Sequence, residues 1–223
     1  MLHCGAELWL CSRKTVDIIC CCNYNNRVNI TFTGSSSTGK TTLLNAMKME
    51  RGIIDRFWYI DEVTRLVKRE FNVDINESGA NDTTQLLIIN KELENLFRYN
   101  HKLLWDRCEG VVHDRCLLDG LVYTEYFYEK KLVSEMVWRQ ALQYWYKYHD
   151  KFNIIFYPEP GDVALVDDGE RSTNIEFRNA IIDKYENYYL NQFQWKDRVV
   201  RLKGSVEERM NTIKEVVKFY IEK

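Results

Sequence analysis

The stretch "NITFTGSSSTGKTTLLNA", Asn29 to Ala46, constrains the fold more than any other part of the chain. It fits the pattern G-x-x-x-x-G-K-[ST] through Gly34, Gly39, Lys40 and Thr41, with an apolar strand-like run before it and a helix-forming run after it. The reason for the spacing is geometric. The glycines let successive backbone N–H groups turn inward, and the N-terminus of the following helix adds partial positive charge. Residues Gly34, Ser35, Ser36, Ser37, Thr38, Gly39, Lys40, Thr41 and Thr42 therefore form a candidate phosphate cradle. Within it Lys40 is placed to reach the β- and γ-phosphates of a nucleotide, and the Thr41 hydroxyl to ligate Mg²⁺. With glycine near 7% of residues, the pattern arises by chance in on the order of 1% of chains of this length. Its strand–loop–helix setting lowers those odds further.

Hydrophobic periodicity carries the reading onward. A first helix runs from Thr41 to about Arg51, with Leu43, Leu44 and Met47 at helical spacing. "RFWYIDE" reads as a strand ending in Asp61 and Glu62, and "VTRLVKREF" as a helix. After the polar loop "NVDINESGAND", Asp82 opens a helix in a capping-box-like arrangement with Gln85, its apolar stripe being Leu86, Ile89, Leu93 and Leu96. "GVVHDR" is a strand ending in Asp114-Arg115, and two helices follow, the second capped by Ser134.

"NIIFYPEP" is a strand stopped by Pro158, and a charged loop, "DVALVDDGERSTNIEF", enters the helix "RNAIIDKYENYYLNQF". "RVVRL" is a last strand. Gly204 then turns into a helix with the capping box Ser205 and Glu208, which buries Val206, Met210, Ile213, Val217 and Tyr220. Five strands alternating with helices predict an α/β fold, a five-stranded parallel sheet with helices on both faces. Ligands in such sheets bind at the carboxyl ends of the strands, which selects Gly34–Thr41, Asp61–Arg65 and Asp114–Asp119.

The chain of 223 residues is 45% hydrophobic with a formal charge of −2, ordinary for a globular protein and no sign of a surface built to coat nucleic acid. Five of its seven cysteines, Cys4, Cys11, Cys20, Cys21 and Cys22, lie in the first 22 residues without the spacing of a zinc site. Cys108 and Cys116 read as reduced thiols in or near the core, which points to the cytoplasm. "VDIICCC" is too short to span a membrane, and no basic n-region precedes it. Residues 1–24 are expected to be a dispensable appendage, and 25–223 one catalytic domain.

A phosphate loop by itself specifies only a nucleotide. None of the ten glycines follows an aspartate by three residues, and N-K-x-D is missing, which argues against a GTPase switch. "FWYIDE" fits the magnesium-binding strand of motor ATPases, which makes Asp61 and Asp114 rivals for that role. A short chain with no separate sensor or lid domain argues against a remodelling ATPase.

At four places the chain resembles the nucleoside and nucleotide kinase branch of P-loop proteins. More narrowly, it is similar to the group holding the ribosylnicotinamide kinase domain, thymidylate and deoxynucleoside kinases, and related phage-encoded kinases. The places are "FTGSSSTGKTTL", "DEVTR" from Asp61 to Arg65, "HDRCLLDGLVYTEY", and "DDGERSTNIEF", which is similar to an arginine-bearing lid over ATP.

The resemblance implies a P-loop NTPase fold that moves a phosphoryl group from ATP, with Mg²⁺, to a nucleoside, nucleotide or related small molecule. It implies that Lys40 and Thr41 hold phosphates and Mg²⁺, and that Asp61 or Glu62 takes the acceptor's proton. It implies further that Asp114 holds Mg²⁺ directly or through water, that Arg115 clamps the acceptor or its phosphate, and that Arg171, with Arg178 second, neutralises developing charge. Plainer roles compete: Asp61 and Glu62 as helix caps, Arg65 in a surface ion pair, Arg171 and Arg178 on a solvated face, and Trp138, Tyr144, Trp145 and Tyr148 as core rather than a base-stacking stripe. Hydroxymethylated pyrimidines in phage DNA are an alternative acceptor, and a non-catalytic nucleotide sensor an alternative function. The expected setting is the cytoplasm, the host's if the chain is phage-encoded, with no membrane partner and a homodimer as one possible state.

Overall fold

The computed structural model describes residues 27–50, 56–75, 77–102 (apart from the side chains of 99–102), 108–161, 174–192 and 194–222. The expected appendage 1–24 lies outside them. Five parallel strands, β1 (Val28–Phe32), β2 (Phe57–Ile60), β3 (Gly110–Asp114), β4 (Ile154–Pro158) and β5 (Val199–Leu202), form one sheet in the order β2-β3-β1-β4-β5. The phosphate-loop strand is thus central. Phe32 at its carboxyl end is in register with Asp114 of β3.

Between the strands lie α1 (Lys40–Met49), α2 (Val63–Phe71), α3 (Asp82–Lys102), α4 (Leu117–Glu129), α5 (Glu135–Tyr148) and α6 (Ile175–Lys184), and α7 (Val206–Ile221) follows the last. They cover both faces, and the two-residue period of a strand sorts the side chains. From β4, Ile154 and Phe156 join Val28, Ile30 and Phe32 against α1 and α7. Ile155 and Tyr157, one step out of phase, pack with α3, α4, α5 and α6. Strands covered on both sides read as continuous apolar runs, which is why "VNITF" and "IIFYP" are buried along their whole length. The sheet is therefore the α/β arrangement that the strand–helix alternation predicts.

Local details differ where a distant residue intervenes. The box at the start of α3 is formed one position early: Asn81 and Thr84 exchange side-chain and backbone bonds at 3.0 and 3.1 Å. This releases Asp82 to accept from the Ser134 N–H at 2.6 Å and Gln85 to face inward. Ser134 does precede α5, but its hydroxyl makes no capping bond. Helix α6 begins at Ile175 under an Asn174 cap and ends in a π-helical turn, Tyr185–Tyr189. At α7 the Ser205–Glu208 box is present and Met210, Ile213 and Val217 are buried, but Val206, in the helix's first turn, is exposed and Tyr220 is only partly buried.

Trp145 is completely buried, with Trp138, Tyr144 and Tyr148 packed around the same core. Among the described residues neither Cys108 nor Cys116 forms a disulfide, and no helix is long and apolar enough to cross a membrane.

Candidate active site

The loop after β1 is shaped by its glycines. Gly34 and Gly39 have φ of 128° and 90°, in the left-handed half of conformational space that L side chains avoid. A Cβ on Gly34 would also lie 3.1 Å from the Tyr157 ring. The Lys40 ammonium, buried under the loop, donates to the Gly34 and Ser35 carbonyls at 2.8 and 2.5 Å. Arg209 of α7 ties the loop's far side, donating to the carbonyls of Thr38 and Glu159 at 3.0 and 3.1 Å. Thr41 and Thr42 lie in the first turn of α1, Thr41 partly buried and Thr42 exposed. Ser36 and Ser37 are partly exposed at the loop's tip, and the Ser35 hydroxyl is buried without a hydrogen-bond partner.

Beside the loop, three strand ends supply one charged network. The Arg115 Nε donates to Glu62 Oε1 at 2.6 Å, and its Nη1 donates to Asp119 and the Gly34 carbonyl, both at 3.1 Å. Glu62 also accepts from the Thr64 hydroxyl at 3.0 Å and the Arg65 Nε at 2.9 Å. Asp119 accepts from the Thr33 hydroxyl, the Tyr185 hydroxyl and the N–H groups of Gly34 and Cys116. It therefore holds the loop, the start of α4 and the π-turn in one place. Arg115 itself has φ of 77°, an unusual backbone conformation for a residue with a side chain.

Asp61 and Glu62, adjacent in sequence, part company. Glu62 is buried, whereas the Asp61 side chain is 80% exposed and 3.5 Å from Lys48. Thr41, Asp61, Lys48 and Asp114 line a cavity of about 60 Å³. At 10–15 Å³ per water, this holds roughly four to six waters. Asp114 Oδ1 is buried there without a hydrogen-bond partner. Among the described residues no cluster of three or more acidic, histidine or cysteine side chains makes a complete metal cage. The set nevertheless fits Mg²⁺, which keeps several waters and takes one or two protein oxygens beside substrate phosphates.

Burial governs the electrostatics. It pushes Lys40 down to about 7, helped by the Arg115 charge, and pushes Asp114 up to about 6, helped by Glu62. Burial would also raise Glu62, but the charge and hydrogen bond of Arg115, with Lys40 and the Thr64 hydroxyl, hold it well below the usual carboxylate range. Burial opposes the Arg115 cation too, yet Tyr123, Glu62 and Asp119 around it keep it firmly protonated. The network is thus a fixed carboxylate–guanidinium pair.

A second cavity, of about 80 Å³, opens between Ser36 of the loop and helices α3 and α4. Glu62 and Arg115 stand at one side of it, and Tyr123, Phe127 and Phe177 form an aromatic wall. Arg178 reaches the loop from α6: its Nε donates to the Ser36 carbonyl at 3.4 Å and its Nη2 is buried without a partner. Arg171, the first choice from sequence for a charge-neutralising arginine, lies outside the described residues. Asp119 fell within a strand-end cluster chosen from sequence, yet nothing in the spacing assigned it a role. Glu92 and Tyr185 carried no sequence signal beyond positions on helices, and Gln85 carried only the signal of a helix cap.

A family model described as an AAA domain matches residues 29–209. Among solved structures, the fold is similar to NadR protein in complex with NAD and AMP-PNP, with a TM-score of 0.62 and 17% identity over 88% of this chain and 50% of that one. NadR protein in complex with NR gives 0.61 and 18% over 90% of this chain and 53% of that one. The chain therefore spans about half the length of the NadR chains it matches. Deoxyadenosine kinase from M. mycoides with products dCMP and a flexible dCDP bound gives 0.61 and 13% over 86% of this chain and 100% of that one. No protein of curated function matches the sequence.

Proposed function

The chain belongs to the AAA domain family, and from its site we propose an ATP- and Mg²⁺-dependent phosphotransferase that moves the γ-phosphoryl group to a hydroxyl or phosphate of a nucleoside, nucleotide or related small molecule. One observation carries this reading: a second, aromatic-walled cavity adjoins the phosphate loop at Ser36, with the Glu62–Arg115 pair between them. A nucleotide switch needs the loop alone. A transferase needs a place for an acceptor within reach of the γ-phosphate, and Glu62 faces that place. The likeness in fold to deoxyadenosine kinase and to a NadR protein holding AMP-PNP supports the same reading.

In this reading the loop N–H groups and Lys40 hold the β- and γ-phosphates, which restore the protonated ammonium that burial disfavours. Glu62 accepts a hydrogen bond from the acceptor hydroxyl and takes its proton as the new O–P bond forms and the bond to the ADP oxygen breaks. A carboxylate held this far below its usual range is a weak base before reaction. Orientation is therefore its main contribution, as suits a loose transition state in which the proton leaves late. Arg115 fixes Glu62 and presents positive charge to the acceptor side. The partnerless Nη2 of Arg178 is available to the transferred phosphoryl group. Thr41 and Asp114 would hold Mg²⁺, which supplies charge neutralisation at the phosphates when bound.

The test is transfer of labelled γ-phosphate from ATP to nucleosides, deoxynucleoside monophosphates, ribosylnicotinamide, and DNA containing hydroxymethyluracil. Label on a small acceptor, lost in Glu62→Gln, is the expected result. Label on DNA alone would replace the acceptor class. Tight ATP binding without transfer to any acceptor would replace catalysis with nucleotide sensing.

A further inference from the structure

At the wall of the second cavity, Glu92 is 5% exposed, and neither of its carboxyl oxygens has a hydrogen-bond partner. A buried carboxyl with no partner stabilises nothing; it costs free energy that ordinary core packing does not return. The surroundings are shaped to admit it. Across from Glu92, α4 carries Gly120, where a Cβ would lie 2.5 Å from Glu92 Oε2, and the Gly120 N–H is already bonded to the Cys116 carbonyl at 3.2 Å. Two helical turns earlier on the same face of α3, Gln85 also lines the cavity. Its Oε1 accepts from the Thr124 hydroxyl at 3.1 Å, which directs the amide NH₂ elsewhere.

We infer that Glu92, supported by Gln85, reads the acceptor by pairing with an amide edge, an N–H beside a C=O, on a flat heterocycle or carboxamide held against Tyr123, Phe127 and Phe177. A carboxylic acid has one O–H donor and one C=O acceptor side by side, the complement of that edge. Burial, with the charge of Asp119, holds the Glu92 carboxyl well above the usual carboxylate range against the pull of Arg115 and of the nearby Gly120 N–H, which makes no hydrogen bond of good geometry to it, and so favours the acid form. The cavity's aromatic wall suits a planar ring, and about 80 Å³ corresponds to roughly five to eight waters, the scale of one ring system. A site built to hydrogen-bond such an edge rejects analogues that lack it, because its own buried groups are then left unpaired. That the occupant is a phosphoryl acceptor rests on the proposed transferase; the edge recognition itself does not.

The experiment pairs each probe with its blocked form: thymidine with N3-methylthymidine, inosine with N1-methylinosine, ribosylnicotinamide with its N,N-dimethylcarboxamide. KM and kcat for labelled phosphate transfer are measured in the wild-type protein, Glu92→Leu, Glu92→Gln and Gly120→Ala, alongside ATP affinity. Expected is a preference of about 10- to 100-fold in KM for at least one unblocked probe. Glu92→Leu and Gly120→Ala should erase that preference with ATP affinity unchanged, and Glu92→Gln, which retains a donor and an acceptor, should keep most of it. Indifference to blocking in the wild type, or a preference surviving in Glu92→Leu, overturns the inference and leaves the transferase reading standing. If no probe is phosphorylated, calorimetric binding of the same pairs decides. Discrimination lost in Glu92→Leu then upholds edge recognition while the transferase reading falls, and no discrimination overturns the inference too.

Discussion

Glu62 and Arg115, 53 residues apart in the chain, meet in a 2.6 Å ion pair with side chains only 9% and 8% exposed. A charge pair so buried earns its place by geometry, since desolvation offsets much of its attraction. Here it joins the ends of two adjacent strands, and through Asp119 and the Gly34 carbonyl it joins them to the phosphate loop.

Glu62→Gln leaves the Arg115 guanidinium without its full counter-charge. Denaturant unfolding at pH 7 should show a loss of about 3–5 kcal/mol, the cost of breaking one side of a buried pair. The acid limb should change with it. Because Glu62 is held below its ordinary value when folded, the pair's stabilisation is complete above about pH 4.5 and declines as pH falls below that. Melting temperature against pH should therefore fall more steeply below pH 4.5 in the wild type than in the variant.

Glu92 has the opposite sign. Its folded carboxyl titrates above the ordinary value, so stability is lost as pH rises from about 4.5 towards that raised value. Glu92→Leu should consequently be the more stable protein at neutral pH, by about 1–3 kcal/mol. The gap in melting temperature should narrow as pH falls to 4.5. A variant less stable than wild type at pH 7 would contradict the unpartnered state of this carboxyl.

Lys40→Ala removes an ammonium whose bonds within the chain go to the loop's own carbonyls and the Thr38 hydroxyl. The fold should survive, with a circular dichroism spectrum like the wild type's. Phosphate transfer should fall by about 10³-fold or more. Full transfer by this variant would place the nucleotide elsewhere.

Arg178 and Arg171 can be separated by single alanine substitutions. If the partnerless Nη2 of Arg178 receives transferring charge, Arg178→Ala should lower kcat by about 10³-fold while ATP affinity changes little. Arg171→Ala with the larger loss in kcat would return the role to the residue that the lid resemblance favours.

Much of this was legible beforehand because its causes are local. Helix α2 falls on the residues its periodicity marks, Val63 to Phe71, and the Ser205–Glu208 box forms because both partners lie within one turn. Where a distant group competed, the reading slipped. Asn81 and Thr84 took over the cap assigned to Asp82 and Gln85, for Asp82 was drawn to Ser134 and Gln85 to Thr124. Adjacent carboxylates were likewise indistinguishable in sequence, yet Asp61 turns to solvent while Glu62 turns under Arg115.

By itself, then, the sequence determined the phosphate loop and the doubly covered parallel sheet around it. A loop's left-handed glycines and a strand's two-residue period are properties of neighbouring residues, and they act before anything packs. The second cavity was decided by tertiary structure alone. Asp119 is fixed by groups 66 and 86 residues away, Tyr185 and Thr33, and Glu92 became a buried, partnerless carboxyl only when Gly120 of another helix closed over it. A polar residue on a helix reads as solvated until the opposing surface is known, because burial and partnership belong to the pair of surfaces and not to either sequence segment.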